Sequence, residues 1–172
     1  MKILFLDIDG VLALPKNYAT QRNKLHARDR HAKGLNVPYM WDEKCVVALN
    51  RFILMNDLEI VLSSDWRFHF SMDEIDMIFK INGVAKSPIG FTIRGGRMSG
   101  ALEYNRVAEI EDWVETNRIA QWCAVDDMDL SALGSRFVQT DERMGFAEKG
   151  FIDKMENALY PQMRFAEHGL GS

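Results

Sequence analysis

The sequence predicts an α/β fold built on a mostly parallel sheet, as one domain over about residues 1–160 followed by a peripheral tail, 161–172. Three observations predict it. Apolar runs at Ile3–Leu6, Ile60–Leu62 and Trp122–Val125 are each of strand length and each stop abruptly at a polar residue, which is the pattern of strands buried on both faces. Stretches with helical periodicity separate them, and strands alternating with helices imply parallel pairing through right-handed crossovers. The chain has 172 residues, 47% of them hydrophobic, enough for a sizeable core, yet no apolar stretch approaches the roughly 20 residues that span a bilayer.

The first strand covers about residues 2–7. It runs into Asp7, followed by Asp9 and Gly10. Residues i and i+2 of an extended segment point the same way, so both carboxylates are expected at the carboxyl end of this strand, where open α/β sheets bind ligands. Two crowded carboxylates are costly without a partner, and a divalent cation resolves the cost. Gly10 allows the sharp turn that follows. A polar turn capping a strand would carry the same residues, so the D-x-D-G pattern needs support from elsewhere.

A basic insertion, about 13–40, comes next. Between residues 14 and 34 it holds Lys16, Arg22, Lys24, Arg28, Arg30 and Lys33 against the single acid Asp29, in a chain whose net charge is −4. Such a segment suits either a polyanion beside the site or plain solvated surface. His26 and His31 lie within it with no spacing that marks a metal site. Asp42 then caps a helix to about Asn56, with Val46, Leu49, Phe52 and Ile53 on one face. A second strand, about 58–63, ends at Ser63 and Ser64, whose hydroxyls can donate to a phosphate oxygen or cap a helix.

Ser71 and Glu74 form a capping box for a helix to about Ile81. Pro88, Gly90, Gly95, Gly96 and Gly100 punctuate a loop-rich stretch that holds one short strand, Phe91–Arg94. A helix from about Glu103 to Asn117 is expected to bury Val107, Ile110, Trp113 and Val114. The strand that follows ends in the acidic pair Asp126 and Asp127. A fifth strand is expected at Phe137–Gln139 and a helix at about 148–159. Cys45 and Cys123 sit in apolar surroundings without a metal-ligand pattern and read as reduced core residues. The first apolar run is broken by Asp7 and Asp9 before it reaches signal-peptide length, so a cytoplasmic setting and no membrane partner are expected.

Taken together, FLDIDGVL, VLSSDWR and VDD resemble motifs I, II and IV of the haloacid dehalogenase (HAD)-like hydrolase superfamily. With R-x-x-E-I-x-x-W-V at Arg106–Val114, the chain resembles more narrowly the small HAD-like domains of bacteria and phages, some associated with nucleic-acid repair. The resemblance spans residues 2 to about 145. It implies a Rossmann-like three-layer αβα sandwich with strand order 3-2-1-4-5, which sets the three motif-bearing strand ends side by side, and it makes the insertion a short cap.

The chemistry implied is a Mg²⁺-dependent phosphatase. Asp7 is the expected nucleophile and Asp9 the acid/base. Ser63 and Ser64 are expected on phosphoryl oxygens. Mg²⁺ is expected on Asp7, on Asp9 through its backbone carbonyl, and on Asp127 or Asp126, with Asp127 preferred as the direct ligand. The superfamily also places a cation before the fourth strand. No lysine stands there, and Arg106 or its rival Arg67 would supply the charge, since a guanidinium binds phosphoryl oxygens bidentately. The expected substrate is a phosphomonoester, with a nucleotide or a nucleic-acid end favoured by the open site and the basic insertion. A non-catalytic phosphate- or nucleic-acid-binding module on the same fold is the alternative. A receiver-like phosphoacceptor is disfavoured because Asp9 would shorten the lifetime of a phospho-aspartate.

Overall fold

A computed structural model of the protein describes residues 1–20, 23, 24, 26, 40–93 and 105–161. Its centre is a five-stranded, all-parallel sheet in the order β3-β2-β1-β4-β5. The strands are β1 (Lys2–Leu6), β2 (Leu58–Leu62), β3 (Gly90–Phe91), β4 (Gln121–Asp126) and β5 (Phe137–Gln139). Both the α/β architecture and the order match the sequence expectation. Among the described residues, four helices pack on the sheet: α1 (Glu43–Asn56), α2 (Met72–Ile81), α3 (Arg106–Asn117) and α4 (Phe151–Leu159).

Alternation along β1 divides the core in two. Leu4 and Leu6 face α1, α2 and α4, against Leu49, Phe52, Phe79 and Met155. Ile3 and Phe5 face α3, against Ile110, with Val107, Trp113 and Val114 only partly buried around it. The Phe5 ring is held edge-on between two indoles, Trp113 of α3 at 5.5 Å and Trp122 of β4 at 5.7 Å. Edge-to-face pairs of this kind add to the area term, and this one seats α3 on the sheet.

The helix starts follow the capping chemistry read from the sequence. The Asp42 carboxylate accepts from the backbone N–H groups of Lys44 and Cys45, and Ser71 and Glu74 make both bonds of the capping box. Some boundaries differ. The third strand is Gly90–Phe91 rather than a run to Arg94, which lies outside the described residues, as do Gly95, Gly96, Gly100 and Glu103. The last helix starts at Phe151, because Gly150 takes the left-handed conformation (φ 76°) just before it. Of the insertion, Lys16, Lys24 and His26 are described, whereas Arg22, Arg28, Arg30, His31 and Lys33 lie outside, as does the tail from 162. Cys45 and Cys123 are buried free thiols, and burial pushes both up, Cys45 to about 12. No described helix is long and apolar enough to cross a membrane.

Register positions the site. Leu6 is paired with Leu62 on one side and Val125 on the other. The next residues of the three strands, Asp7, Ser63 and Asp126, therefore stand side by side. The Asp7 N–H donates to Val125 O (3.1 Å) and the Ser63 N–H to Leu6 O (3.0 Å). By alternation Asp7 and Asp126 continue the α3 face of Phe5 and Ala124.

Truncating Phe5 to Ala is expected to cost about 3–5 kcal/mol, the range for a fully buried phenylalanine. Urea denaturation checks it. The midpoint should fall with an unchanged m-value.

A candidate phosphate and metal site at the sheet edge

The loop after β1 is tied on every side. The Leu12 and Ala13 N–H groups both donate to Ile8 O (2.8 and 2.9 Å), and the Gly10 N–H donates to Ala13 O (2.9 Å). Leu12 O accepts from Asp42 N–H and Val11 O from Phe146 N–H. Thr140 donates its hydroxyl to Gly10 O at 3.0 Å. Gly10 has φ 69°, and a Cβ there would lie 2.4 Å from the Asp127 carboxylate. Only glycine lets the loop turn this way and lets Asp127 come so close.

Asp7, Asp126 and Asp127 each offer an oxygen, and these atoms all lie within 4.8 Å of one another. Asp7 and Asp126 are buried. Burial, with Asp126 alongside, pushes the Asp7 carboxyl up to about 8, against the opposing pull of Arg106, the Ser64 hydroxyl and the Ile8 N–H. Burial also raises Asp126, against Arg106, and raises Asp127, with Asp126 adding to the rise. The donor set is all carboxylate oxygen, and among the described residues a single guanidinium opposes three acids there. An excess of hard, anionic oxygen fits Mg²⁺. The Asp9 carboxylate does not join this group. Its Oδ2 accepts a hydrogen bond from the Trp66 indole N–H at 2.8 Å.

Arg106 is the guanidinium in question. It is the first residue of α3, behind the Asn105 cap, and helical side chains lean back toward the N-terminus. Its Nη1 bonds Asp126 and lies 3.4 Å from Asp7 Oδ1, while Nη2 bonds the exposed Asp65 at 2.9 Å. Arg67 points elsewhere. It is buried, bonds the carbonyls of Ser63 and Ser64 (2.7 Å to the latter), and pairs with the buried Glu109 of α3. Of the two candidate arginines, Arg106 is the one brought to Asp7. Of the two serines, the Ser64 hydroxyl is the one that pulls the Asp7 carboxyl down, whereas Ser63 contributes backbone groups that hold β2 to β1 and to Arg67.

Sequence reasoning missed Asp65, Trp66 and Glu109. Glu109 carried a signal, because it lies three residues after Arg106 and so on the same helical face. Trp66 and Asp65 carried none beyond their place next to Ser64.

The HAD domain in Swiss Army Knife RNA repair proteins, as a family, matches residues 3–151. The chain belongs to this family. The match takes in all five strands except Lys2 of β1, together with every residue of the site, and it ends where α4 begins. No curated protein and no solved structure matches the chain. As a HAD domain, the chain carries a hydrolase-type scaffold; such domains generally use Mg²⁺, and the described residues include an acidic cluster that could hold an ion.

In this HAD domain the raised Asp7 has a measurable sign. A carboxyl raised from 3.8 to about 8 in the folded state gives stability that is complete below the unfolded value and lost as pH rises through the folded one. In chelator, Asp7→Asn is expected to be more stable than the parent chain by about 0.5–2 kcal/mol at about pH 9. The gap should close at about pH 4, as thermal melts at the two pH values will read.

Proposed function

We propose that this HAD domain is a Mg²⁺-dependent phosphomonoesterase that works through an aspartyl-phosphate on Asp7. One observation carries the reading: a buried carboxylate at the sheet edge, Asp7, has a guanidinium 3.4 Å away, two further acids beside it and the Ser64 hydroxyl pulling its carboxyl down.

In the first step an Asp7 oxygen attacks phosphorus. The bond to the leaving oxygen breaks, its electron pair stays with that oxygen, and Asp9 supplies the proton. In the second step Asp9 takes a proton from water as the water oxygen attacks the phospho-aspartate, which frees phosphate and restores Asp7. Arg106 and Ser64 hold the non-bridging oxygens in both steps, and Arg106 gives up its bond to the exposed Asp65 to do so. Asp7, Asp127 or Asp126 and the Asp9 backbone carbonyl would hold Mg²⁺, which would offset the negative charge that keeps a phosphate ester away from an attacking carboxylate.

For substrate we favour a nucleic-acid end or a nucleotide. The family's description, an RNA repair setting, supports it, as does the basic composition of residues 14–34. A cavity of about 650 Å³ beside Asp127 is lined by Asp141, Glu142 and Glu148 with Arg143. That acidic wall disfavours a polyanion on the β5 side. The chain of an oligonucleotide is thus expected to leave the site on another side.

The test is hydrolysis of a panel: 4-nitrophenyl phosphate, nucleotides, sugar phosphates, and oligonucleotides phosphorylated at the 5′ or 3′ end. Turnover is expected with Mg²⁺, lost in chelator and poorly restored by Ca²⁺, whose coordination is larger and looser. Asp7→Asn should lower turnover by at least about 10⁴-fold. Phosphate binding without turnover in the parent chain would make the protein a binding module instead.

The basic segment has its own test. Neutralising Lys24, Arg28 and Arg30 together should raise KM for a phosphorylated oligonucleotide and leave 4-nitrophenyl phosphate nearly unchanged. The oligonucleotide effect should shrink as salt rises, because phosphate contacts release counterions. Equal loss on both substrates would instead mark the segment as a cap over the site.

A further inference from the structure

We infer that Trp66 is a positioning residue for the acid/base Asp9, an inference that rests on the phosphatase reading above. The observation is a polar contact made by a largely apolar side chain. The Trp66 indole N–H donates to Asp9 Oδ2 at 2.8 Å, and Trp66 is 5% exposed.

The indole is itself fixed. Trp66 follows the Ser64 cap in a short 3₁₀ turn, Asp65–Phe68. Its ring packs against Trp41 at 5.9 Å and Phe70 at 5.4 Å, and Trp41 meets Phe79 of α2 edge-on at 5.0 Å. The Trp41 backbone N–H donates to the Asn82 side-chain oxygen just past α2 (2.8 Å). A donor on a ring this well anchored is a fixed reference point. A carboxyl group with one oxygen bonded to it does not rotate freely about Cβ–Cγ, so its other oxygen is presented in one direction. Asp9 needs that constraint, because it sits in a loop and its carboxylate stands outside the Asp7–Asp126–Asp127 group.

The contact also matches the chemistry. When the Asp7–phosphorus bond forms and the phosphorus–oxygen bond to the leaving group breaks, the leaving oxygen keeps the electron pair and takes the Asp9 proton. Asp9 becomes a carboxylate as this happens. A hydrogen bond from a neutral donor to a newly charged acceptor strengthens at that moment, and no reorganisation is needed because the donor is already in place.

A merely structural Trp66 would predict a different outcome when the leaving group is varied. A 4-nitrophenolate departs without help, whereas an alkoxide needs the proton. Trp66→Phe keeps an aromatic ring and removes the N–H. It is expected to lower kcat/KM for an alkyl phosphate by about 10–100-fold and for 4-nitrophenyl phosphate by no more than about 3-fold. Asp9→Asn should show the same dependence, and adding Trp66→Phe to it should change little further. Phe70→Leu loosens the same ring cluster and leaves the N–H, so it should affect both substrates alike. If the phenyl ring leaves too large a gap, benzothienylalanine at position 66 matches the indole in size, lacks the N–H and reads the same quantity.

Equal loss on both substrates for Trp66→Phe, or a full additional loss on top of Asp9→Asn, would overturn the inference. A readout without turnover accompanies the kinetics. In the metal-free protein the Trp66 indole proton resonance, assigned by its loss in Trp66→Phe, should move upfield in Asp9→Ala. A resonance that stays put would overturn the contact itself. A shifted resonance in a chain that turns over neither substrate would instead overturn the phosphatase reading and the role given to Trp66 with it.

Discussion

Three carboxylates, Asp7, Asp126 and Asp127, stand at one edge of a buried sheet with oxygens within 4.8 Å of one another, and much of the surrounding structure is a response to that crowding. Water cannot screen the two buried members, and like charges this close in a low-dielectric setting oppose ionisation. Arg106 answers from α3 by bonding Asp126 and approaching Asp7. For Arg106 to do so, α3 must be held to the sheet at a fixed height. The Trp113–Phe5–Trp122 cluster supplies the apolar part of that hold, and the buried Arg67–Glu109 pair supplies the polar part. Gly10 removes the last obstacle by leaving room for Asp127. A fold selected for stability alone would not keep such a cluster. The cluster stands at the carboxyl end of the strands, the edge at which open α/β sheets bind ligands.

The turn after β2 distributes the same job over consecutive residues. In a 3₁₀ turn successive side chains diverge by about a third of a revolution. Asp65, Trp66 and Arg67 therefore reach three different places: the Arg106 guanidinium, the Asp9 carboxylate, and the Ser63 and Ser64 carbonyls with Glu109. Four residues of backbone thus reach the Arg106 guanidinium, the Asp9 carboxylate, the end of β2 and Glu109 of α3. Arg67 and Glu109 are both buried, so their pairing ties the end of β2 to α3, and removing either partner would leave a buried charge uncompensated.

What could be read from the sequence was whatever local chemistry or strand pattern dictates. Apolar runs that stop on Asp7, Ser63 and Asp126 mark strand ends, and a parallel sheet gathers such ends along one edge. Asp42, Ser71 and Glu74 announce helix starts because their side chains satisfy N–H groups only a few residues away. The short β3 and the late start of α4 were read less well. The pairing of two residues with a neighbour, or one glycine in the left-handed region, sets those limits, and neither leaves a periodic trace.

By itself the sequence determined the α/β class, the family and the residue types at the strand ends, since these follow from apolar runs of strand length, from 3.6-residue patterns and from the motifs that carry the family resemblance. Only the tertiary structure decided between the two arginines. Arg67 and Arg106 are equally plausible phosphate ligands as letters, but reach depends on where a turn and a helix start stand relative to Asp7. Register and helix placement send Arg106 to the carboxylates and Arg67 to the backbone behind Ser63. The same holds for Trp66, which lies 57 residues from Asp9 along the chain. No local rule relates two side chains so far apart. Their contact exists because β1 and β2 are neighbours, and the chain turns just past each of them.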